Sequence, residues 1–301
     1  MFDIIIIGAG PAGMTAAIYG RRARKSVLVI EALSYGGQII NTLDIENYPV
    51  EPHISGFDFA TKLYGQAKEL GTEFVFEKAF EIIDKNDYKE VRTNNNSYQG
   101  KAIIIATGAS NRKLGLDQEE KLIGKGISYC ATCDGNFYRK KDVAVVGGGN
   151  TAIEDALYLA NIANKVHLIH RRDEFRASPS EVEKLKEKEN VEIHYNSVVS
   201  NIIGENHLEK IEILEDDEMK EIEISGLFIA VGQIPANEIF KDLINVDNNG
   251  YIISDEKCHT NIEGIYVAGD NRTKELRQLV TATADGAVAA TEAIKYINNQ
   301  K

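Results

Sequence analysis

The sequence predicts an α/β protein built from two βαβ modules, the second inserted into the first. The chain has 301 residues, which at about 150 residues per domain corresponds to two domains. Residues 2–31 and 141–170 resemble each other at a constant offset of 139. Each copy has an apolar run, a glycine cluster, a helical pattern and a second apolar run. This is the order of a βαβ unit, in which a helix connects two buried parallel strands. The fold class expected is therefore two Rossmann-like dinucleotide-binding domains.

Three strand-like segments that each end in a glycine mark the limits of these modules: residues 102–108, 226–232 and 265–269. The first two close a module, and the third begins a C-terminal segment without a nucleotide motif. Helical patterns cover residues 57–70, before the first of these segments, and 181–189, between the first and the second. The predicted domains are a discontinuous one of residues 1–112 and 238–301, and an inserted one of residues 113–237.

Composition and charge exclude several classes of protein. The chain is 43% hydrophobic and 27% charged, as in ordinary soluble globular proteins. Its net charge of −12 argues against nucleic-acid and anionic-membrane partners. The N-terminus MFDIIIIGAG has no basic segment before its short apolar run, so we expect neither a signal peptide nor a membrane span. Three cysteines are too few for a secreted disulfide framework, and we expect a cytoplasmic protein.

The first glycine loop has the GxGxxG spacing, with Gly8, Gly10 and Gly13 directly after a predicted strand and opening a helix. The first glycine permits the turn, the second lets backbone N–H groups approach a pyrophosphate, and the third permits close helix packing. Glu31 ends the next strand. A carboxylate at this position accepts hydrogen bonds from the ribose hydroxyls of a nucleotide. The loop predicts a dinucleotide with a free ribose, as in FAD or NAD. Glycines kept for purely steric reasons are the alternative.

The second module carries the corresponding loop, with candidate nucleotide contacts at Gly147, Gly149, Asn150, Thr151 and Ala152. His170 takes the place of the acidic Glu31. A basic cluster follows it: Arg171, Arg172 and Arg176. Guanidiniums without a carboxylate favour a nucleotide 2′-phosphate, which indicates NADP(H). The alternative is a solvated basic turn that pairs with Asp173 and Glu174.

The cysteines indicate redox chemistry. Cys130 and Cys133 form a CxxC motif followed by Asp134. This spacing lowers a thiol pKa, and Asp134 can move a proton to or from the nearby sulfur. A zinc half-site is disfavoured because no second cysteine pair exists, so no metal is expected. The remaining cysteine and lone histidines are interpreted as packing or surface residues: Cys258, His53, His194 and His207.

A dithiol beside an NADPH site needs an intermediary, because hydride does not pass usefully to a disulfide. A flavin accepts hydride and passes electrons to sulfur, and the first glycine loop suits the ADP half of FAD. Asp270, after a third strand, can reach the ribityl chain. A helix that begins near Arg277 and Gln278 can direct its N-terminal partial charge at a reduced flavin.

Nine short motifs that point to the same protein family are spread along the whole chain. They are GAGPAG at 8–13, GGQ at 36–38, ENYP at 46–49, ATG at 106–108, CATCDG at 130–135, GGGNTA at 147–152, HRRDEFRA at 170–177, AGDNR at 268–272 and RQLVTATADG at 277–286. With them the chain resembles, over essentially its full length, the low-molecular-weight NADPH-dependent thioredoxin reductases. CATCDG followed by HRRxxxR is the most specific combination.

The resemblance implies a two-domain flavin disulfide reductase fold, a homodimer, FAD and NADPH as cofactors, and thioredoxin as the protein substrate. It implies that Cys133 lies next to the flavin, that Cys130 exchanges with thioredoxin, and that Asp134 is their acid/base partner. Arg171, Arg172 and Arg176 would hold the NADPH 2′-phosphate. Further FAD contacts are implied at Gly36, Gly37, Gln38, Asn47, Gly108, Gly269, Asp270, Arg277 and Gln278.

Other functions stay open beside this one. A flavin dithiol oxidoreductase of the same fold that acts on another disulfide partner is the main alternative. A glutathione-reductase-like enzyme is disfavoured because residues 35–50 contain no cysteine. A nucleotide-sensing protein with inactive motifs would be colourless. Two departures from the resemblance are a longer, more polar segment at residues 50–54, and Lys125 where relatives often carry arginine.

Overall fold

The computed structural model describes residues 1–42, 44–51 and 53–300. By their internal contacts they form two compact units. The outer unit is Met1–Ser110 with Ile234–Lys301, and the inserted unit is Asn111–Gln233. The sequence places the corresponding limits after residue 112 and before residue 238.

Both units begin with alternating strands and helices and continue with a run of strands. The strands are β1 Phe2–Ile7, β2 Val27–Glu31, β3 Glu73–Phe76, β4 Ala79–Asp84, β5 Lys89–Thr93, β6 Ser97–Ile105, β7 Ala109–Asn111, β8 Ile127–Ser128, β9 Asp142–Gly147, β10 Lys165–Ile169, β11 Val191–His194, β12 Ser197–Ile203, β13 Lys210–Glu215, β14 Glu218–Glu223, β15 Gly226–Ala230, β16 Gln233–Pro235 and β17 Ile265–Val267. The helices are α1 Pro11–Arg22, α2 Gly56–Glu69, α3 Ala131–Asp134, α4 Asn150–Ala160, α5 Pro179–Lys186 and α6 Leu279–Asn299.

The outer unit is built on a seven-stranded sheet in which β3, β2, β1 and β6 are parallel neighbours. β17 adds to β6 in parallel, and β5 and β4 continue the sheet antiparallel. The apolar run of β1 is buried on both faces, as a central parallel strand requires. Ile4 and Ile6 pack in one core with residues of α1 and α6. Ile5 and Ile7 pack in a second core on the opposite face.

The inserted unit repeats this plan with a five-stranded parallel sheet in the order β11, β10, β9, β15, β8. A three-stranded antiparallel sheet of β12, β13 and β14 follows in sequence. The predicted class, α/β with two units on parallel sheets, is confirmed. The predicted helices over residues 57–70 and 181–189 are observed as α2 and α5.

Among the described residues, none of the helices combines the length and the apolar character needed to cross a lipid bilayer.

Candidate functional site

The first glycine loop joins β1 to α1 and depends on glycine at two of its three positions. Gly8 has φ +110, and a Cβ there would lie 2.3 Å from the carbonyl oxygen of Ala106. A Cβ on Gly13 would lie 2.0 Å from the carbonyl oxygen of Gly8. A Cβ on Gly10 would meet nothing within 4 Å. The loop is therefore tight at its ends and open at its second glycine, where a phosphate can approach the backbone.

Two other predicted site segments lie against this loop. The N–H of Gly36 donates to the carbonyl oxygen of Ala9 (2.8 Å). A Cβ on Gly37 would lie 3.3 Å from the Cα of Gly10. The Oε2 atom of Glu31 accepts a hydrogen bond from the N–H of Ala9 (2.8 Å). The structure thus brings the GGQ turn and the acidic end of β2 to the open side of the loop.

The turn after β17 is held by the buried carboxylate of Asp285, which lies in the RQLVTATADG motif but was not among the predicted site residues. The N–H of Gly269 donates to Oδ2 of Asp285 (3.0 Å), and Arg272 donates two hydrogen bonds to the same carboxylate (2.8 and 2.9 Å). Burial alone would raise the pKa of Asp285, but its bonds to Arg272 and Lys274 hold that pKa below its usual value. Asp285 is the first charged residue in a helix, α6, that begins with small and apolar residues, and this was the signal available in the sequence.

Asp270, in the same turn, has an unpartnered oxygen. Its Oδ1 is buried, and among the described residues it has no hydrogen-bond partner. Burial raises the pKa of Asp270, an effect partly opposed by the charges of Lys274 and Arg277. A buried carboxylate oxygen without a partner is costly. A ligand hydroxyl at this position would satisfy it, so the turn fits a hydroxyl-bearing chain.

The N-terminus of α6 gathers three more predicted residues. Asn47 Nδ2 donates to Oε1 of Gln278 (3.2 Å), across 231 positions of sequence. Gln278 caps α6 through a capping box with Thr281. The guanidinium of Arg277 lies 4.0 Å from the centroid of the Tyr251 ring. These contacts hold Asn47 and Gln278 together at the positive end of the longest helix.

All of these turns follow strands of one sheet. At the end of β6, Gly108 has φ +66, and its carbonyl oxygen accepts from the N–H of Ala236 (3.0 Å). The amide of Asn271 donates to Oγ1 of Thr107 (3.1 Å), which joins the end of β6 to the turn after β17. The crevice at the carboxyl ends of parallel strands is where open α/β sheets bind ligands.

The second glycine loop, between β9 and α4, is crowded at its first glycine and open at its second, as the first loop is. A Cβ on Gly147 would lie 2.4 Å from the carbonyl oxygen of Ala230, whereas a Cβ on Gly149 would meet nothing within 4 Å. Asn150, the first residue of α4, accepts a hydrogen bond on Oδ1 from the N–H of Ser178 (2.9 Å). The helix continues with the exposed Thr151 and the buried Ala152. This loop is also open at its second glycine.

The basic segment after β10 is attached to this loop. A Cβ on Gly148 would lie 2.0 Å from Cε1 of His170, and the N–H of Arg176 donates to the carbonyl oxygen of Gly148 (2.8 Å). His170 Nε2 lies 2.9 Å from the carbonyl oxygen of Glu174. In the described part of the chain no salt bridge ties the cluster to Asp173 or Glu174. Its three side chains are exposed: Arg171, Arg172 and Arg176.

The CxxC segment forms a disulfide beside an anchored carboxylate. The sulfurs of Cys130 and Cys133 are bonded at 2.05 Å, and their Cα atoms are 5.3 Å apart. The hydroxyl of Ser128 donates to Oδ2 of Asp134 (2.6 Å) and accepts from the N–H of Cys130 (3.1 Å). Both cysteines are half-buried. Ser128 was missed from sequence; its place two residues before the motif was the signal.

A second carboxyl group meets the same segment from α4. Asp155 accepts a hydrogen bond from the backbone N–H of Ala131, the residue after the first cysteine. Burial, reinforced by the charge of Glu154, raises the pKa of Asp155 to about 7, although the bond from Ala131 opposes the rise. Burial and the charge of Asp134 raise the pKa of Tyr138 to about 12. Asp155 was also missed from sequence. The signal available was the adjacent acidic pair of Glu154 and Asp155 within an apolar helix.

Comparison with known proteins identifies the family. Residues 2–286 match the family described as pyridine nucleotide-disulphide oxidoreductase. The chain is 43% identical to a thioredoxin reductase of Listeria monocytogenes, over 100% of this chain and 95% of that protein. It is 41% identical to a thioredoxin reductase of Bacillus subtilis, over 99% of this chain and 95% of that protein. A solved thioredoxin reductase structure from Streptococcus pyogenes has a TM-score of 0.94 at 42% identity, covering 99% of each chain.

The chain belongs to the pyridine nucleotide-disulphide oxidoreductase family. The resemblance to low-molecular-weight thioredoxin reductases is confirmed by relatives aligned along the full chain. Cys130 and Cys133 form a disulfide in the inserted unit of this oxidoreductase. The third cysteine of this oxidoreductase, Cys258, is fully buried in the core. Burial raises the pKa of its thiol to about 12, which makes it unreactive and agrees with the expected packing role.

The two expected departures differ in their burial. Lys125 is exposed. In the segment 50–54, Val50 is 97% exposed, Glu51 forms a salt bridge with Lys62 (2.9 Å), and Ile54 is buried. Pro52 lies outside the described residues.

Proposed function

We propose that this chain is an NADPH-dependent thioredoxin-disulfide reductase with FAD as its flavin. The observation that carries the proposal is the Cys130–Cys133 disulfide, with Asp134 bonded to Ser128. The unit that holds it also contains a glycine loop followed by exposed arginines. Full-length relatives named thioredoxin reductase support thioredoxin as the substrate.

The outer unit would hold FAD. Its fit rests on the open space at Gly10 and on the unpartnered Oδ1 of Asp270. The first suits a pyrophosphate and the second a ribityl hydroxyl, while Glu31 offers a carboxylate to a ribose diol. A bound flavin supplies the chemistry that accepts hydride from NADPH and delivers two electrons to a disulfide. The proposed contacts are Gly8, Gly10, Gly13, Glu31, Gly36, Gly37, Gln38, Asn47, Gly108, Gly269, Asp270, Arg277 and Gln278.

The inserted unit would hold NADPH. The open space at Gly149 suits the nucleotide pyrophosphate at the N-terminus of α4. The exposed guanidiniums after β10 are free to form bidentate bonds with the 2′-phosphate, and their attachment through Gly148 fixes the segment beside the loop. The proposed contacts are Gly147, Gly149, Asn150, Thr151, Ala152, His170, Arg171, Arg172 and Arg176.

The thiol steps transfer two electrons and two protons to thioredoxin. Once the disulfide is reduced, the Cys130 thiolate attacks one sulfur of the thioredoxin disulfide and forms a mixed disulfide, releasing one thioredoxin thiolate. The Cys133 thiolate then attacks Cys130, which restores the intramolecular disulfide and releases the second. Asp134, held by Ser128, is placed to take and return the proton of the nearby thiol. Dithiol thioredoxin is the product.

Substitution of each cysteine tests this order of steps. Cys133→Ser and Cys130→Ser should both abolish thioredoxin reduction, while NADPH still bleaches the flavin absorbance. Cys258→Ser is the matched control and should retain turnover. Loss of bleaching in Cys133→Ser, or full turnover by Cys130→Ser, would overturn the scheme. Bleaching without reduction of any thioredoxin, but with reduction of another disulfide, would favour the alternative partner.

The assembly and location rest on the resemblance to the family. We infer a homodimer in the cytoplasm, with no nucleic-acid or membrane partner. Light scattering of the flavin-loaded protein measures the assembly, and a monomer at assay concentration would contradict it.

A further inference from the structure

Three side chains with metal-binding atoms converge on one corner of the inserted sheet. Glu192 and His194 lie two residues apart on β11 and therefore project to the same face. β10 pairs with β11 so that His167 stands opposite Glu192. Both imidazoles are buried, with 7% and 6% of their surface exposed, whereas the Glu192 side chain is 48% exposed. The cluster has a buried base and an opening to solvent.

The distances within this cluster suit one small cation. His167 Nδ1 lies 3.1 Å from His194 Nε2. A Glu192 oxygen lies 3.7 Å from the first nitrogen, and the other lies 3.8 Å from the second. Four ligands about 2.1 Å from a tetrahedral zinc are separated from each other by about 3.4 Å. The three separations bracket that value, so small side-chain rotations would complete the geometry.

The hydrogen bonds around the cluster orient its nitrogens. His194 Nδ1 lies 3.1 Å from Oε2 of Glu215 and donates a hydrogen bond to it. The other ring nitrogen of His194, Nε2, is therefore unprotonated, and its lone pair faces His167. A carboxylate behind a ligating histidine is a recurrent feature of metal sites.

Two lysines offset the charges of the two glutamates at the cluster before any cation enters. Lys165 forms a salt bridge with Glu192, and Lys220 forms one with Glu215 (2.9 Å). The Lys165 side chain is 43% exposed and is able to turn into solvent when a cation takes the carboxylate. Asp142, on β9, adds a further negative charge near His167.

We propose that His167, Glu192 and His194 form a site for a divalent transition-metal cation of the zinc class, with water as the fourth ligand. Imidazole and carboxylate ligands suit Zn²⁺, Co²⁺ and Ni²⁺. The sequence interpretation had treated His194 as a packing or surface residue and expected no metal. The partner His167 is 27 positions away, so no local motif links the two histidines. Pairing of β10 with β11 creates the site.

Binding is tested on the full-length, flavin-loaded protein with its disulfide oxidised, so that the two thiols of the CxxC motif cannot bind the ion. Co²⁺ is the probe, because four-coordinate Co²⁺ absorbs strongly to the red of the flavin bands. We expect one tightly bound Co²⁺ per chain, displaced by Zn²⁺. His167→Gln and His194→Gln should each weaken binding by roughly 10- to 100-fold or more. His53→Gln, an exposed histidine that lies near the half-buried Asp44 and Glu46, is the matched control and should bind as the wild type does.

Two results would overturn the proposal. One is a wild-type protein that gives only the weak absorption of six-coordinate Co²⁺ in solution. The other is a histidine variant that binds Co²⁺ as tightly as the wild type. If the histidine variants do not fold, Glu192→Gln decides, since its half-exposed side chain tolerates substitution; unchanged affinity in that variant refutes the site.

Discussion

The hydroxyl of Ser128 donates a 2.6 Å hydrogen bond to the carboxylate of Asp134, and it also accepts the N–H of Cys130 at 3.1 Å. One buried side chain therefore links the proposed acid/base group to the backbone of the Cys130–Cys133 disulfide. Ser128 touches neither sulfur in these contacts, so its contribution is to position Asp134.

Ser128→Ala should slow thioredoxin reduction by about tenfold, because a hydrogen bond to a charged group contributes about 1.5 kcal/mol. Flavin reduction by NADPH should keep its wild-type rate, since that step does not use Asp134. Stopped-flow measurement of both half-reactions across pH separates the two effects. Ser128→Thr retains the hydroxyl and should restore the pH profile; equal slowing of both half-reactions would show a merely structural role.

Gly10 and Gly13 differ in what a methyl group would meet, so alanine at each has a different consequence. At Gly13 the new Cβ would lie 2.0 Å from a carbonyl oxygen, and we expect Gly13→Ala to lower the free energy of unfolding by about 1–3 kcal/mol or more. Gly10 has φ −77 and ψ −179, which alanine adopts readily, and its surroundings are open. Gly10→Ala should therefore keep the stability of flavin-free protein but lose flavin.

Urea unfolding of the flavin-free proteins and flavin retention on gel filtration measure these two effects. An unstable Gly10→Ala, or a Gly13→Ala as stable as the wild type, would contradict the packing on which the pyrophosphate proposal rests.

The parts of the fold encoded by local patterns were predictable from sequence. The glycine loops, the paired apolar runs and the acidic or basic end of the second strand recur at fixed spacing, so β1, α1 and β2 and their counterparts β9, α4 and β10 followed directly. The resemblance implied only that Asn47 and Gln278 each contact FAD. Their hydrogen bond was not predicted, because nothing local relates positions 231 residues apart.

The residues that sequence reasoning missed act through contacts made by folding. Asp285 accepts a hydrogen bond from the N–H of Gly269, the residue before Asp270. The part of α6 that carries Asp285 otherwise consists of small and apolar residues. Asp155 reaches Ala131 only because α4 packs beside α3. His167 and His194 meet through strand pairing. In each case the partner is set by tertiary packing, which spacing along the chain does not encode.

Arg171 and Arg176 should discriminate between nucleotides. Replacing both by alanine removes two bidentate donors to a 2′-phosphate, so affinity for NADPH should fall by roughly 10- to 100-fold. Affinity for NADH, which lacks that phosphate, should change little. Arg139→Ala, another exposed arginine of the inserted unit, is the control. Titration of the flavin absorbance with each nucleotide gives the comparison, and equal weakening of both would exclude the phosphate pocket.

The burial of His167 predicts an acid-sensitive fold. Its pKa falls from 6.5 to about 4 on folding, chiefly through burial. The unfolded chain therefore binds this proton more readily than the folded one, so the stability contribution of neutral His167 is present above pH 6.5 and is lost as pH falls toward 4. The loss should be about 2 kcal/mol, somewhat less than the full shift implies.

His167→Gln removes the titrating group and should flatten the dependence of unfolding free energy on pH between these two values. Urea unfolding in the presence of a chelator measures it, because a bound cation would stabilise the neutral imidazole independently. His207→Gln, at an exposed position, should keep the wild-type slope. A His167→Gln protein that loses as much stability as the wild type across this interval would show that burial of this imidazole does not cause the acid sensitivity.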